Sequence, residues 1–138
     1  STLTLDGGSD VDGTITISTG TVDANGTFDA TGGTIDINDA GDLQLAGVVT
    51  SLGDVSIDFG TVTYDGAGDQ AIVADDYFSL IAGGGAGIKT LSGAVTIAGD
   101  LAIDAGVTIA MGINNLTVTG ATTIPGAVTI TTATLDAN

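Results

Sequence analysis

The sequence predicts an all-β fold, a parallel β-solenoid (β-helix) with coils of about twenty residues. Three observations carry that reading. Apolar and polar residues alternate over short runs, which is strand periodicity. Gly, Asn and Asp separate the runs, as turns require. The pattern also returns in the same phase along the chain.

Residues 13–32, 33–52 and 53–72 align without a gap. Each block opens with Gly, then a small or polar residue, then Ile or Val, a polar residue and Ile. The apolar pairs are Ile15/Ile17, Ile35/Ile37 and Val55/Ile57. Residues 73–92 depart from the pattern, so an irregular coil at about 73–92 is expected within a single domain spanning residues 1–138. The phase returns at 93–112 with Val95/Ile97, and at 113–132 with the pair slipped to Leu116/Val118. An antiparallel sandwich has no reason to keep register across an irregular block, whereas stacked coils do. About three strands fit each coil, and roughly six to seven coils at ~4.8 Å spacing make a rod about 30 Å long. Ile15, Ile35 and Val55 should then form one inward ladder. The spacing leaves open whether the coil is right- or left-handed.

Composition excludes several classes of function. All 17 acids are Asp, the one basic residue is Lys89, and His, Cys, Arg and Trp are absent, for a net charge of −16. A mean hydropathy of +0.48 argues against a disordered acidic chain. Nucleic-acid binding needs cations to displace phosphate counterions, and an anionic membrane surface makes the same demand. No apolar run approaches the ~20 residues of a membrane span. No charged segment followed by an apolar one opens the chain, so a leader is expected to be absent or removed. Without His or Cys there is no Ser-His-Asp or Cys-His nucleophile. Few aromatic platforms are present to hold a sugar for the paired carboxylates, so no enzyme is expected.

Several residues are candidates for binding or modification. Gly7-Gly8-Ser9-Asp10-Val11-Asp12-Gly13 partly matches a calcium-binding glycine-aspartate repeat, which makes Asp10 and Asp12 the candidate Ca²⁺ ligands. No other cofactor is expected. Asn25-Gly26-Thr27 and Asn115-Leu116-Thr117 are sequons, so Asn25 and Asn115 are candidate glycosylation sites in a secreted setting. Outward Thr14/Thr16 is followed by Thr34/Asp36 and Asp54/Ser56, which is too irregular for an ice-binding array. Lys89 is expected to be solvated, or else paired with Asp75 or Asp76. Tyr77 and Phe78 are expected to plug the core or cap a widened coil.

Leu3 and Leu5 near one terminus, and Val128, Ile130 and Leu135 near the other, still read as solenoid strands. Uncapped coils present open sheet edges. These five residues are therefore the expected self-assembly ends, stacking head to tail on a second copy or continuing a longer rod.

A stretch from about residue 60 to 120 carries a resemblance. Its pieces are GTVTYDG at 60–66, Asp69-Gln70-Ala71-Ile72, Tyr77 through Leu80, and Gly87-Ile88-Lys89-Thr90-Leu91 leading into GAVTIAGDLAIDAGVTI. They resemble a repeat of very large bacterial cell-surface and secreted β-solenoid proteins of the filamentous-adhesin-like kind. The resemblance implies an extracellular or cell-surface rod for adhesion or display, and supplies no catalytic residues. The expected function is a structural subunit or segment of an extracellular fibre, sheath or adhesin stalk. The alternative is a calcium-dependent adhesin or a module that binds a glycan or surface.

Overall fold

The computed structural model describes residues 1–55 and 58–138. Every regular element among them is a β-strand. The strands group into seven coils of three. Coil one holds β1 (Thr2–Leu5), β2 (Ser9–Asp10) and β3 (Thr14–Ile17), and coil two holds β4 (Thr21–Ala24), β5 (Phe28–Asp29) and β6 (Thr34–Ile37). Coil three holds β7 (Asp42–Leu45), β8 (Val49–Ser51) and β9 (Asp54–Val55). Coil four holds β10 (Thr61–Tyr64), β11 (Gln70–Ile72) and β12 (Asp76–Tyr77). Coil five holds β13 (Ser79–Ala82), β14 (Gly87–Leu91) and β15 (Val95–Ile97), and coil six holds β16 (Leu101–Ile103), β17 (Val107–Gly112) and β18 (Leu116–Val118). Coil seven holds β19 (Thr122–Thr123), β20 (Ala127–Ile130) and β21 (Leu135–Ala137).

Each strand pairs in parallel with its counterpart one coil away, so the chain is a parallel β-solenoid. On the first face the register runs from Thr2 to Thr21, Asp42, Thr61 and Ser79, then from Leu80 to Leu101 and Thr122. The coil length therefore moves between 18 and 21 residues around the predicted twenty. The predicted ladder of Ile15, Ile35 and Val55 is present. Ile57, the expected companion of Val55, lies outside the described residues.

Alternation explains the core. On the first face one inward column reads Leu3, Val22, Leu43, Val62, Leu80, Leu101 and Thr122. Its middle five are buried. Each such side chain contributes about 1.5–3 kcal/mol of burial free energy. The neighbouring column reads Leu5, Ala24, Leu45, Tyr64, Ala82 and Ile103. Here the large Tyr64 sits against the small Ala82, which keeps a narrow interior filled without overpacking. Corners stack as tightly as strands: a Cβ at Gly47 would strike the Gly26 carbonyl oxygen, so the residue there must be glycine.

The first face is continuous through all seven coils as β1-β4-β7-β10-β13-β16-β19. The third face runs as β3-β6-β9 and β12-β15-β18-β21 on either side of residues 56 and 57, which lie outside the described residues. The second face is two sheets among the described residues, β2-β5-β8 and β11-β14-β17-β20, and its break falls between coils three and four. There the first corner lengthens from residues 46–48 to residues 65–69. The sequence places the irregularity at 73–92. Yet β13 and β14 inside that stretch pair regularly on both sides, so the departure begins about one corner earlier. Val95/Ile97 and Leu116/Val118 stack on one another as the slipped pairing requires, in a sheet separate from that of Ile35.

Candidate functional site

The break between coils three and four holds the chain's unusual side chains. On the second face the inward column reads Gln70, Lys89, Ile109 and Val128. Lys89 is therefore a core residue, with no exposed surface. The expectation that it is solvated is overturned, and so is a pairing with Asp75 or Asp76. Strand alternation is the reason: Leu91 points inward, so Lys89 two residues earlier must as well.

The Lys89 ammonium donates to the Gly66 carbonyl at 2.6 Å, to Gln70 Oε1 at 2.9 Å and to the Gly68 carbonyl at 3.3 Å. A charged lysine offers three donors and no acceptor, and this cage offers three acceptors. Burial pushes the Lys89 amine below its ordinary value, and the charges of Asp65 and Asp69 oppose that shift. Gln70 is equally saturated. Its Nε2 donates to the Leu45 carbonyl at 2.7 Å and the Gly47 carbonyl at 2.8 Å, and its Oε1 also accepts from the Gly66 N–H at 3.3 Å. Side-chain bonds thus splice coils three, four and five where β8 and β11 do not pair.

A second network joins Tyr64, Val73 and Tyr77. The Tyr77 hydroxyl donates to the Val73 carbonyl at 2.7 Å, and the Val73 N–H donates to the Tyr64 oxygen at 3.1 Å. Tyr77 has spent its one proton, so across the 3.0 Å Tyr64–Tyr77 contact Tyr64 is the donor. Tyr77 plugs the core as expected, and Phe78 is half-buried against Phe59 with ring centroids 6.0 Å apart. Burial raises both phenols, that of Tyr64 to about 12. Asp65 sits beside this region with its Oδ1 buried and without a partner among the described residues. Its carboxyl is pushed up by burial and by the Asp23 and Asp42 charges, against the pull of its own backbone N–H and Lys89.

The other sequence candidates are scattered over the surface. Asp10 is exposed on β2 and stands in register with Asp29 on β5, while Asp12 is exposed in the turn that follows. Among the described residues no group of three or more acids gathers around one point as a metal centre would require. Asn25 and Asn115 are both exposed; Asn25 Nδ2 donates to Asp6 Oδ1 at 3.2 Å, and Asn115 Oδ1 accepts the Thr134 N–H at 3.0 Å. At the ends, Leu3 is 56% and Ile130 is 44% exposed, whereas Leu5, Val128 and Leu135 are half-buried. A hollow of about 390 Å³ opens at the first coil, lined by Leu3, Ile15, Ile17 and Val22 among others.

Sequence reasoning missed the Gln70–Lys89 cage. The available signal was the alternation phase of Ile88-Lys89-Thr90-Leu91, and of Gln70-Ala71-Ile72 one coil before. Comparison of the chain with protein-family models, with curated proteins and with solved structures finds no match to any of them.

Proposed function

We propose that the chain is a structural segment of an extracellular fibre, sheath or adhesin stalk, extended by end-to-end β-stacking. The observation that carries this reading is the continuous first face, whose outer strands β1 and β19 each have one neighbour and one unused edge. An unused parallel edge is a template for another strand. The next coil is supplied either by the same polypeptide or by a second copy. The hollow at the first coil, lined by Leu3, Ile15, Ile17 and Val22 together with several Ser and Thr side chains, lies beside that edge. A surface without a cationic side chain keeps such rods apart laterally, because like charges repel.

Negative-stain images across a concentration series test the proposal. End-to-end rods should lengthen with concentration and salt, and a Leu3→Asp variant should remain as short particles. Isolated particles at every concentration, with the fold intact by circular dichroism, would overturn stacking between copies.

A further inference from the structure

Near the ladder break the Phe59 and Phe78 rings pack against each other. On the second face the gap between β8 and β11 is an open groove of about 260 Å³, lined by Ala46, Val48, Val49, Asp69, Gln70 and Ala71 among others. Val48 on its rim is 68% exposed.

Both walls of this groove are strand edges. β8 has β5 as its one neighbour, and β11 has β14. The Val48 carbonyl accepts the Phe28 N–H at 2.9 Å, so the Val49 N–H of the same trans amide points the other way, into the groove. The Ile72 carbonyl accepts the Ser92 N–H at 3.0 Å, so by alternation the Ala71 N–H and carbonyl also point into the groove. Among the described residues no hydrogen bond crosses from one strand to the other.

Charge selects the occupant. Asp10 and Asp29 stand in an outward column leading to β8, and Asp69 stands on the opposite wall. Asp29 is held below the ordinary carboxylate value by the Thr31 hydroxyl and N–H, so it stays ionised. Lys89 is buried, so the chain's own side chains provide no surface cation to meet these acids. A second copy is therefore a poor occupant.

We propose that the groove between β8 and β11 receives an extended strand of a partner protein that carries lysine or arginine beside alternating apolar residues. The guest bonds to the Ala71 edge by strand addition, rests an apolar side chain against Val48 and Val49, and sets its cations near Asp29 and Asp69. This does not depend on the rod-forming role.

The probe is a synthetic nonapeptide, Val-Thr-Val-Thr-Val flanked on each side by two lysines. Amide hydrogen exchange read by NMR should show new protection at Val49 and Ala71 and none on β1 or β19. Ala71→Pro removes the free donor without breaking a native bond, because proline is tolerated on an edge facing outward. It should weaken binding by about tenfold or more. Asp69→Asn keeps the oxygen that accepts the Ile88 N–H at 2.9 Å, and should weaken binding several-fold at low salt. Binding that survives Ala71→Pro, equal binding of a glutamate-flanked peptide, or protection confined to other faces would overturn the proposal. So would protection of Val49 and Ala71 by self-association without peptide.

Discussion

The hydroxyls of Tyr64 and Tyr77 lie 3.0 Å apart, and between them they take both the N–H and the carbonyl of Val73. The direction of the three bonds makes the two phenols unequal. Tyr77→Phe strips the Val73 carbonyl of its donor and leaves the Tyr64 proton without an acceptor. Tyr64→Phe orphans one donor, the Val73 N–H. A buried group left unsatisfied costs about 1–3 kcal/mol, so both variants should be destabilised and Tyr77→Phe the more. Urea unfolding of the two variants measures this. Equal losses would show that the bond directions are wrong.

Lys89 offers a sharper test, because it is the chain's one trypsin site and it is buried. The native protein should resist trypsin, and the unfolded protein should be cut once, after residue 89. Fragmentation under native conditions without prior unfolding would contradict the cage. Lys89→Met should cost about 2–4 kcal/mol, because three acceptors lose a donor held by charge-assisted bonds. In a double-mutant cycle with Gln70→Leu the two changes should couple by about 1 kcal/mol or more, since Lys89 Nζ and Gln70 Oε1 bond directly at 2.9 Å.

The pH dependence of stability has an unusual sign. Burial, first, raises the carboxyls of Asp65 and Asp75 above the ordinary value of 3.8 in the folded chain. Between the unfolded and the folded value the native state holds more protons, so stability falls as pH rises through that window. Self-repulsion at a net charge of −16 acts in the same direction. The melting temperature should rise as pH is lowered from about 7 toward the ordinary carboxylate value of 3.8, and Asp65→Asn should raise it at pH 7 while flattening the slope. Calorimetry across that range is the check, and a melting temperature that falls on acidification would contradict it.

Much of this fold was legible in the sequence because stacked coils repeat their environment. Ile15, Ile35 and Val55 have the same neighbours one coil apart, so the same residue type recurs. The ladder break on the second face was not legible, because it coincides with two extra residues in one corner, at 65–69, and corner residues carry no periodic pattern. Lys89 was misread for a different reason. Its charge suggests solvent, while its phase, two residues before Leu91, places it inward. Composition and position conflicted there, and position prevailed because Gln70 and two glycine carbonyls supply the bonds that water would have made.

One face runs unbroken past the third coil while the second is interrupted there. The molecule is thus a stiff stem with a joint partway along it, and the uninterrupted face is the strap across that joint. Flexing away from the strap would open the groove and strain the Gln70 and Lys89 splice, while flexing toward it would compress closed ladders. A fibre assembled from such units would be compliant in one direction and unyielding in the opposite one.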